Sequence, residues 1–266
     1  MAQQRPERTA NAASFYSRGE ADRYESNARM AAQQRTLAER ALHLLDLPPG
    51  PALLLDAGCG TGYSGRPLER AGHTWIGTDI SLNMLRNAAS PNGASSSGRR
   101  GGRSQVVCDD LGCGLPFRNG LFDGCVSISA VQWLCFATQK GHDPERRVRK
   151  FFTALRAVLA GGARAVLQLY PEQPEHMQML RDTALDLGFT GGLVCDYPWS
   201  ERSKKLFLVL VAPTRSKPQP VEGGGGGGGG KAHGKMKLAV NKSGSGVRLV
   251  GGSRPSGVQK KRKHKQ

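Results

Sequence analysis

The sequence has no C-x-x-C pair: its six cysteines, Cys59, Cys108, Cys113, Cys125, Cys135 and Cys195, stand apart, several in apolar runs such as Asp123-Gly-Cys-Val-Ser-Ile. That spacing argues against disulfides and against a zinc site, and for buried thiols in a reducing compartment. No stretch reaches the roughly 18 uninterrupted apolar residues that a membrane span needs, and the run from Met1 to Arg8 is polar and charged where a secretory signal would be apolar. A soluble, intracellular protein without a membrane partner is expected. Acids are scarce, 21 Asp plus Glu against 38 Lys plus Arg in 266 residues, for a net +17 with histidines neutral. The shortage is local. From 213 onward there are 13 basic side chains and one acid, Glu222, for +12, whereas residues 1–212 carry 25 basic and 20 acidic side chains, for only +5.

The length suits one domain of roughly 200 residues with tails, or two small ones. After a polar start, Ala, Leu and Met recur at helical spacing over 27–47, and Pro48-Pro49-Gly50 stops the helix. Short apolar runs then alternate with helical segments. Strands are expected at 52–56, 73–79, 104–109, 122–129 and 164–170, with helices at 62–71, from Ser81, and at 144–160. This rhythm predicts an α/β fold with a mostly parallel sheet and helices on both faces. A helix at 172–187 and two strand-like runs at 192–196 and 205–212, separated by Tyr197-Pro-Trp-Ser200, read as an antiparallel pair at one side of the sheet. Residues 1–13, the low-complexity insertion at 90–103 and the Gly- and Lys-rich tail at 213–266 are expected to be disordered, leaving 14–212 as the folded domain.

The glycine-rich turn Asp56-Ala-Gly58-Cys-Gly60-Thr-Gly62 falls directly between the first strand and the next helix. Glycines let the backbone turn sharply and approach a ligand without Cβ clashes. A dinucleotide fold wants G-x-G-x-x-G; here the spacing is G-x-G-x-G, with an acid two residues before the first glycine. A ligand that carries no phosphate and bears positive charge fits both features. S-adenosyl-L-methionine, with a sulfonium, an α-ammonium and an adenosine, is such a ligand. Asp79, at the end of the second strand and followed by Ile80, is placed to accept from ribose hydroxyls. Asp110, after the third strand, is placed to accept from the adenine amino group, with the Leu111 amide near the ring. Taken singly, Asp56 also reads as a loop-capping acid and Asp110 as a turn residue. A nicotinamide oxidoreductase is the rival enzyme.

Longer motifs bear on what receives the methyl group. Phe122-Asp-Gly-Cys-Val-Ser-Ile-Ser-Ala-Val-Gln-Trp-Leu-Cys135, Arg164-Ala-Val-Leu-Gln-Leu-Tyr-Pro-Glu172, Gly188-Phe-Thr-Gly-Gly-Leu-Val and Asp196-Tyr-Pro resemble segments of the eukaryotic 18S ribosomal RNA (guanine-N7) methyltransferase family. So do Phe15-Tyr16, Tyr24, Asn27, Arg29-Met30 and Gln34. The resemblance covers roughly 14–212 and implies a Rossmann-like class I methyltransferase with a seven-stranded sheet. It implies methyl transfer to guanine N7 in the small-subunit RNA, with a role in pre-ribosomal RNA processing and small-subunit biogenesis. Guanine N7 has an available lone pair, so the transfer needs alignment and exclusion of water rather than a general base.

Ser129 would sit beside the methyl group, and Gln132, Trp133 and Tyr170 would position the base, with Trp133 stacking on it. Trp133 reads more readily as core than as a base platform, because Val131 and Leu134 flank it. Tyr16, Tyr24 and Arg29 form either a lid over the donor or packing on the first helix. The basic tail serves binding of ribosomal RNA or the preribosome, or a nuclear targeting signal of the Lys-Lys-Arg-Lys type. It departs from the family's longer basic C-terminal region, and 90–103 is also unlike the family. The family further implies a small zinc-binding activator protein as partner, the zinc being that partner's, and a nuclear and nucleolar location, with the cytoplasm also open. Two other readings compete: an RNA-binding assembly factor whose catalysis is dispensable, and a methyltransferase acting on a protein or small molecule.

Overall fold

A computed structural model describes residues 5–89 and 105–214, together with the backbone of 239–240. Four N-terminal helices, α1 (Pro6–Thr9), α2 (Ala12–Phe15), α3 (Arg18–Ser26) and α4 (Ala28–Leu45), lead into the sheet. The alternating part follows: β1 (Leu53–Ala57), α5 (Gly65–Arg70), β2 (Thr74–Asp79), α6 (Leu82–Ala88), β3 (Gln105–Cys108), β4 (Phe122–Ile128), a 3-10 helix (Val131–Cys135), α7 (Pro144–Val158) and β5 (Leu159–Leu169). The chain closes the domain with α8 (Pro174–Asp186), β6 (Thr190–Asp196) and β7 (Lys205–Val211). The strand order is β3-β2-β1-β4-β5-β7-β6-β8, where β8 is Ala239–Val240. The first five strands pair in parallel, and β7 runs antiparallel between β5 and β6.

Strands of a sheet covered on both faces are apolar at successive positions, and β4 is buried at six of its seven residues. Period-two alternation then divides those residues between two cores. Leu55, Cys125, Ala165 and Leu167 face Phe151, Phe152 and Leu155 of α7 and Leu180 of α8. Leu54, Val126 and Val166 face Leu37, Leu44 and Leu45 of α4, together with Leu68 and Trp75. Caps fix where the helices start: the Asn27 side chain accepts from the Met30 amide at 3.0 Å, Ser81 from Met84 at 3.4 Å and Asp143 from Arg146 at 3.2 Å.

Several expectations need correction. The helix expected over 144–160 ends at Val158, because Leu159 turns extended and pairs with Phe122, so β5 begins five residues before the expected 164. The expected disordered start, 1–13, is helical from Pro6 to Thr9 and from Ala12: Pro6 suits a first helical turn, and the Asn11 side chain caps α2 by accepting from Ser14 at 2.9 Å. Two residues within the 213–266 tail, those of β8, pair in parallel with β6. The rest of that tail from 215 and the 90–103 insertion lie outside the described residues. All six cysteines are free, but Cys108 and Cys113 are exposed, at the end of the edge strand and in the turn after it. Among the described residues no helix is long and apolar enough to cross a membrane.

Candidate active site

Parallel strands leave their carboxyl ends open at one edge, where a switch in strand order makes a crevice. Here β1 lies between β2 and β4, and a cavity of about 290 Å³ opens over the ends of β1, β2, β3 and β4. Its donor half is the glycine turn. Gly58 has φ 78°, and a Cβ there would lie 2.2 Å from the Ala130 Cβ, so a side chain would collide with the β4 end. Asp79 Oδ2 accepts from the Gly60 amide at 2.9 Å, and Oδ1 accepts from the Ser81 amide at 2.8 Å. One carboxylate therefore ties the glycine turn to the start of α6. Burial raises the Asp79 and Asp109 carboxyls above their ordinary range.

Gly58, Gly60, Asp79, Ile80, Asp110, Leu111, Ser129, Gln132, Trp133 and Tyr170 all line this cavity. Asp56 and Gly62 do not reach its wall. Asp56 is fully buried behind it and accepts from Ser64 Oγ at 2.6 Å, while its other oxygen has no partner. Burial pushes its carboxyl up to about 7; the Ser64 hydrogen bond opposes that shift and the Asp79 charge adds to it. The acid before the glycines thus acts on the cavity through Ser64, which does line it. Asp110 is also committed: its Oδ1 accepts from the Gly112 amide at 2.9 Å and from Arg147 at 2.7 Å.

Glu7, Thr61, Ser64, Asp109, His142 and Arg147 also stand on the wall, and none of them was expected from the sequence. The doublet Asp109-Asp110 at a strand end was a usable signal for the second acid. Nothing in the local pattern pointed to Glu7. Thr61 Oγ1 and Asp109 Oδ2 are buried without partners. Buried polar atoms are normally paired, so these two are places for a ligand's donors.

The other half of the cavity is built where β4 and β5 end. Ser129 has φ 56°, a left-handed turn that a non-glycine residue adopts only when its surroundings hold it there. Gln168, fully buried on β5, supplies the hold: its carbonyl accepts from the Ser129 amide at 3.0 Å and its side-chain oxygen from Ser129 Oγ at 2.7 Å. The turn launches the 3-10 helix, which buries Val131 and Leu134 and leaves Trp133 half-buried at the cavity wall. Trp133 lies 5.9 Å from the Phe15 ring and 6.0 Å from the Tyr16 ring. The Tyr16 carbonyl accepts from Ser81 Oγ at 3.1 Å and Asn83 at 3.2 Å, which fastens the N-terminal segment to the donor side. Of the lid candidates, Tyr16 and Tyr24 line the cavity, whereas Arg29 is exposed and does not.

A glycine turn with an acid at each of the next two strand ends, below an aromatic wall, defines a methyltransferase of the Rossmann-like class. A methyltransferase domain family matches residues 55–167. The fold is shared with a putative S-adenosyl-L-methionine-dependent methyltransferase from Methanococcus maripaludis, at TM-score 0.57 and 12% identity over 82% of this chain and 99% of that one. The mouse 18S rRNA (guanine-N(7))-methyltransferase is 46% identical over 217 residues, 81% of this chain and 74% of that protein. The Saccharomyces cerevisiae 18S rRNA (guanine(1575)-N(7))-methyltransferase is 40% identical over 207 residues, 77% of this chain and 72% of that protein. The chain belongs to the 18S rRNA (guanine-N7) methyltransferase family.

Proposed function

We propose that the chain transfers a methyl group from S-adenosyl-L-methionine to N7 of a guanine in the small-subunit ribosomal RNA, and acts in pre-ribosomal RNA processing and small-subunit biogenesis. The observation that carries this reading is a continuous cavity, which joins a glycine-and-acid half to an aromatic and amide half. The partnerless Thr61 and Asp109 oxygens and the space kept by Gly58 fit the donor molecule. When bound, that molecule supplies an electrophilic methyl on a sulfonium. Asp79 would hold its ribose, Asp109, Asp110 and the Leu111 amide its adenine, and the turn from Gly58 to Gly60 its amino-acid end.

The N7 lone pair forms the new C–N bond as the C–S bond breaks toward sulfur, and no proton has to leave. The residues therefore align and exclude water. Ser129, locked by Gln168, fixes the floor, and Trp133 offers an aromatic face to a ring that becomes cationic. Tyr170 is held from two sides: its hydroxyl accepts from Gln33 at 3.2 Å, and the Lys205 ammonium sits 5.4 Å from its ring centre.

The small zinc-binding activator implied by the resemblance would pair with β3. Support comes from β3 being an outermost strand, hydrogen-bonded only to β2 among the described residues, with its own Val106 and Val107 only half-buried. Nuclear and nucleolar residence would follow from the basic tail.

Reductive cleavage or mass mapping of 18S RNA from cells lacking the protein tests the function. The expected result is loss of the N7-methylguanosine signal, restored by the wild-type chain but not by Asp79→Asn, whose donor affinity should fall more than about tenfold. An unchanged signal overturns the reading.

A further inference from the structure

N7 carries a lone pair on both guanine and adenine, so a transferase strictly selective for guanine gains from a separate device to tell the purines apart. The two bases differ on the opposite edge of the ring. Guanine presents N1–H and a 2-amino group, both donors, while adenine presents an N1 lone pair. We infer that Glu7 of α1 reads that edge, accepting from N1–H and the 2-amino group of the target guanine. The inference rests on the guanine-N7 reading above and names the residue that gives it base selectivity.

Glu7 is the buried residue of α1, 7% exposed, and it lines the cavity. Its Oε1 accepts from Gln132 Nε2 at 3.3 Å, and Gln132, 5% exposed, has its own side-chain oxygen buried without a partner. Among the described residues no lysine, arginine or histidine forms an ion pair with Glu7. A carboxylate sequestered this way carries a desolvation cost unless a ligand brings donors to it. Its two neighbouring arginines are engaged elsewhere: Arg5 donates to the Tyr170 carbonyl, and Arg8 pairs with Glu172 at 2.7 Å.

Those two contacts fasten α1 across the end of β5, on the far side of β4 from the glycine turn and Asp79. Glu7 therefore belongs to the acceptor half, with Gln132, Trp133 and Tyr170. A guanine gripped there by N1–H and the 2-amino group points N7 back toward the donor half. As N7 takes the methyl, positive charge spreads through the purine and N1–H becomes a stronger donor. The contact to Glu7 then strengthens along the reaction, which accelerates the transfer as well as selecting the base. An adenine in the same place would set its N1 lone pair against the carboxylate.

The test uses the full-length chain and small-subunit RNA carrying either guanosine or inosine at the modified position. Inosine keeps N7 and N1–H but lacks the 2-amino group. The wild type is expected to favour guanosine in kcat/KM by about tenfold or more, the usual worth of a hydrogen bond to a charged group. Glu7→Gln should lose about 10- to 100-fold on guanosine, narrow the ratio to below about threefold, and leave the calorimetric affinity for S-adenosylhomocysteine within about twofold. An unchanged ratio, or a loss of S-adenosylhomocysteine affinity in step with the rate, overturns the assignment. Should the Gln variant fail to fold, Glu7→Asp keeps the charge and should keep the guanosine preference at reduced rate; a flat ratio in that variant overturns the inference equally. A wild type that forms no N7-methylguanosine defeats the function reading itself, whereas a methylating wild type with an indifferent Glu7 variant defeats only this inference.

Discussion

Asp56 shows how a residue can shape a ligand site without touching it. Its carboxyl, raised to about 7, binds protons more readily in the folded chain than in the unfolded one. Between about pH 4 and pH 7 the native state therefore holds the extra proton, and stability falls as pH rises across that window. Asp79 and Asp109 are shifted in the same direction. Asp56→Asn keeps an acceptor for Ser64 and removes the charge, so its melting temperature should change less than that of the wild type between pH 5 and pH 8 in calorimetry. At Gly58 the conflict is steric: φ is 78° and Ala130 occupies the space of a Cβ. Gly58→Ala should cost about 1–3 kcal/mol and shift the denaturant midpoint without changing the slope.

The elements differ in how visible they were beforehand. The strands β1, β2 and β4 announce themselves as short, mostly apolar runs that lead to Asp56, Asp79 and Ser129, because strands covered on both faces keep few polar positions. The glycine turn was legible from spacing alone. The long reach of β5 was not, since Gly161-Gly162 interrupts the apolar run, and the stretch before Arg164 joins the sheet through the pairing of Leu159 with Phe122 and the bonds of Gly162 and Ala163 to Ala212. The least legible element is α1, four residues whose place depends on partners more than 160 positions away. It buries no apolar side chain, so packing left no periodicity to read. That same fact makes a prediction: deletion of residues 1–9 should leave the melting temperature within about 3 °C, while methyl transfer drops at least about tenfold because the acceptor half loses a wall.

For the whole molecule, the net +17 separates into a mildly basic body of +5 and a tail of +12. Asp79, Asp109 and Asp110 stand where the body would hold a cation, and most of the basic surplus lies in the tail. A chain ending at residue 214 should retain methyl transfer at low salt, bind small-subunit RNA more weakly, and show a shallower dependence of log affinity on log salt in filter binding. Every phosphate that is no longer neutralised takes about 0.7–0.9 from that slope. An unaltered slope would place RNA binding on the body instead.

The ion pair between Arg8 and Glu172 spans 164 positions, whereas the donor turn closes within its own neighbourhood, from Asp56 to Ser81. Contacts of short separation form early during folding, and distant ones wait for the loop to close. The wall that bears Glu7 can settle only after the fifth strand has been laid down. During synthesis, then, the half suited to the methyl donor is complete first, and the half suited to RNA is the last piece of the cavity to arrive.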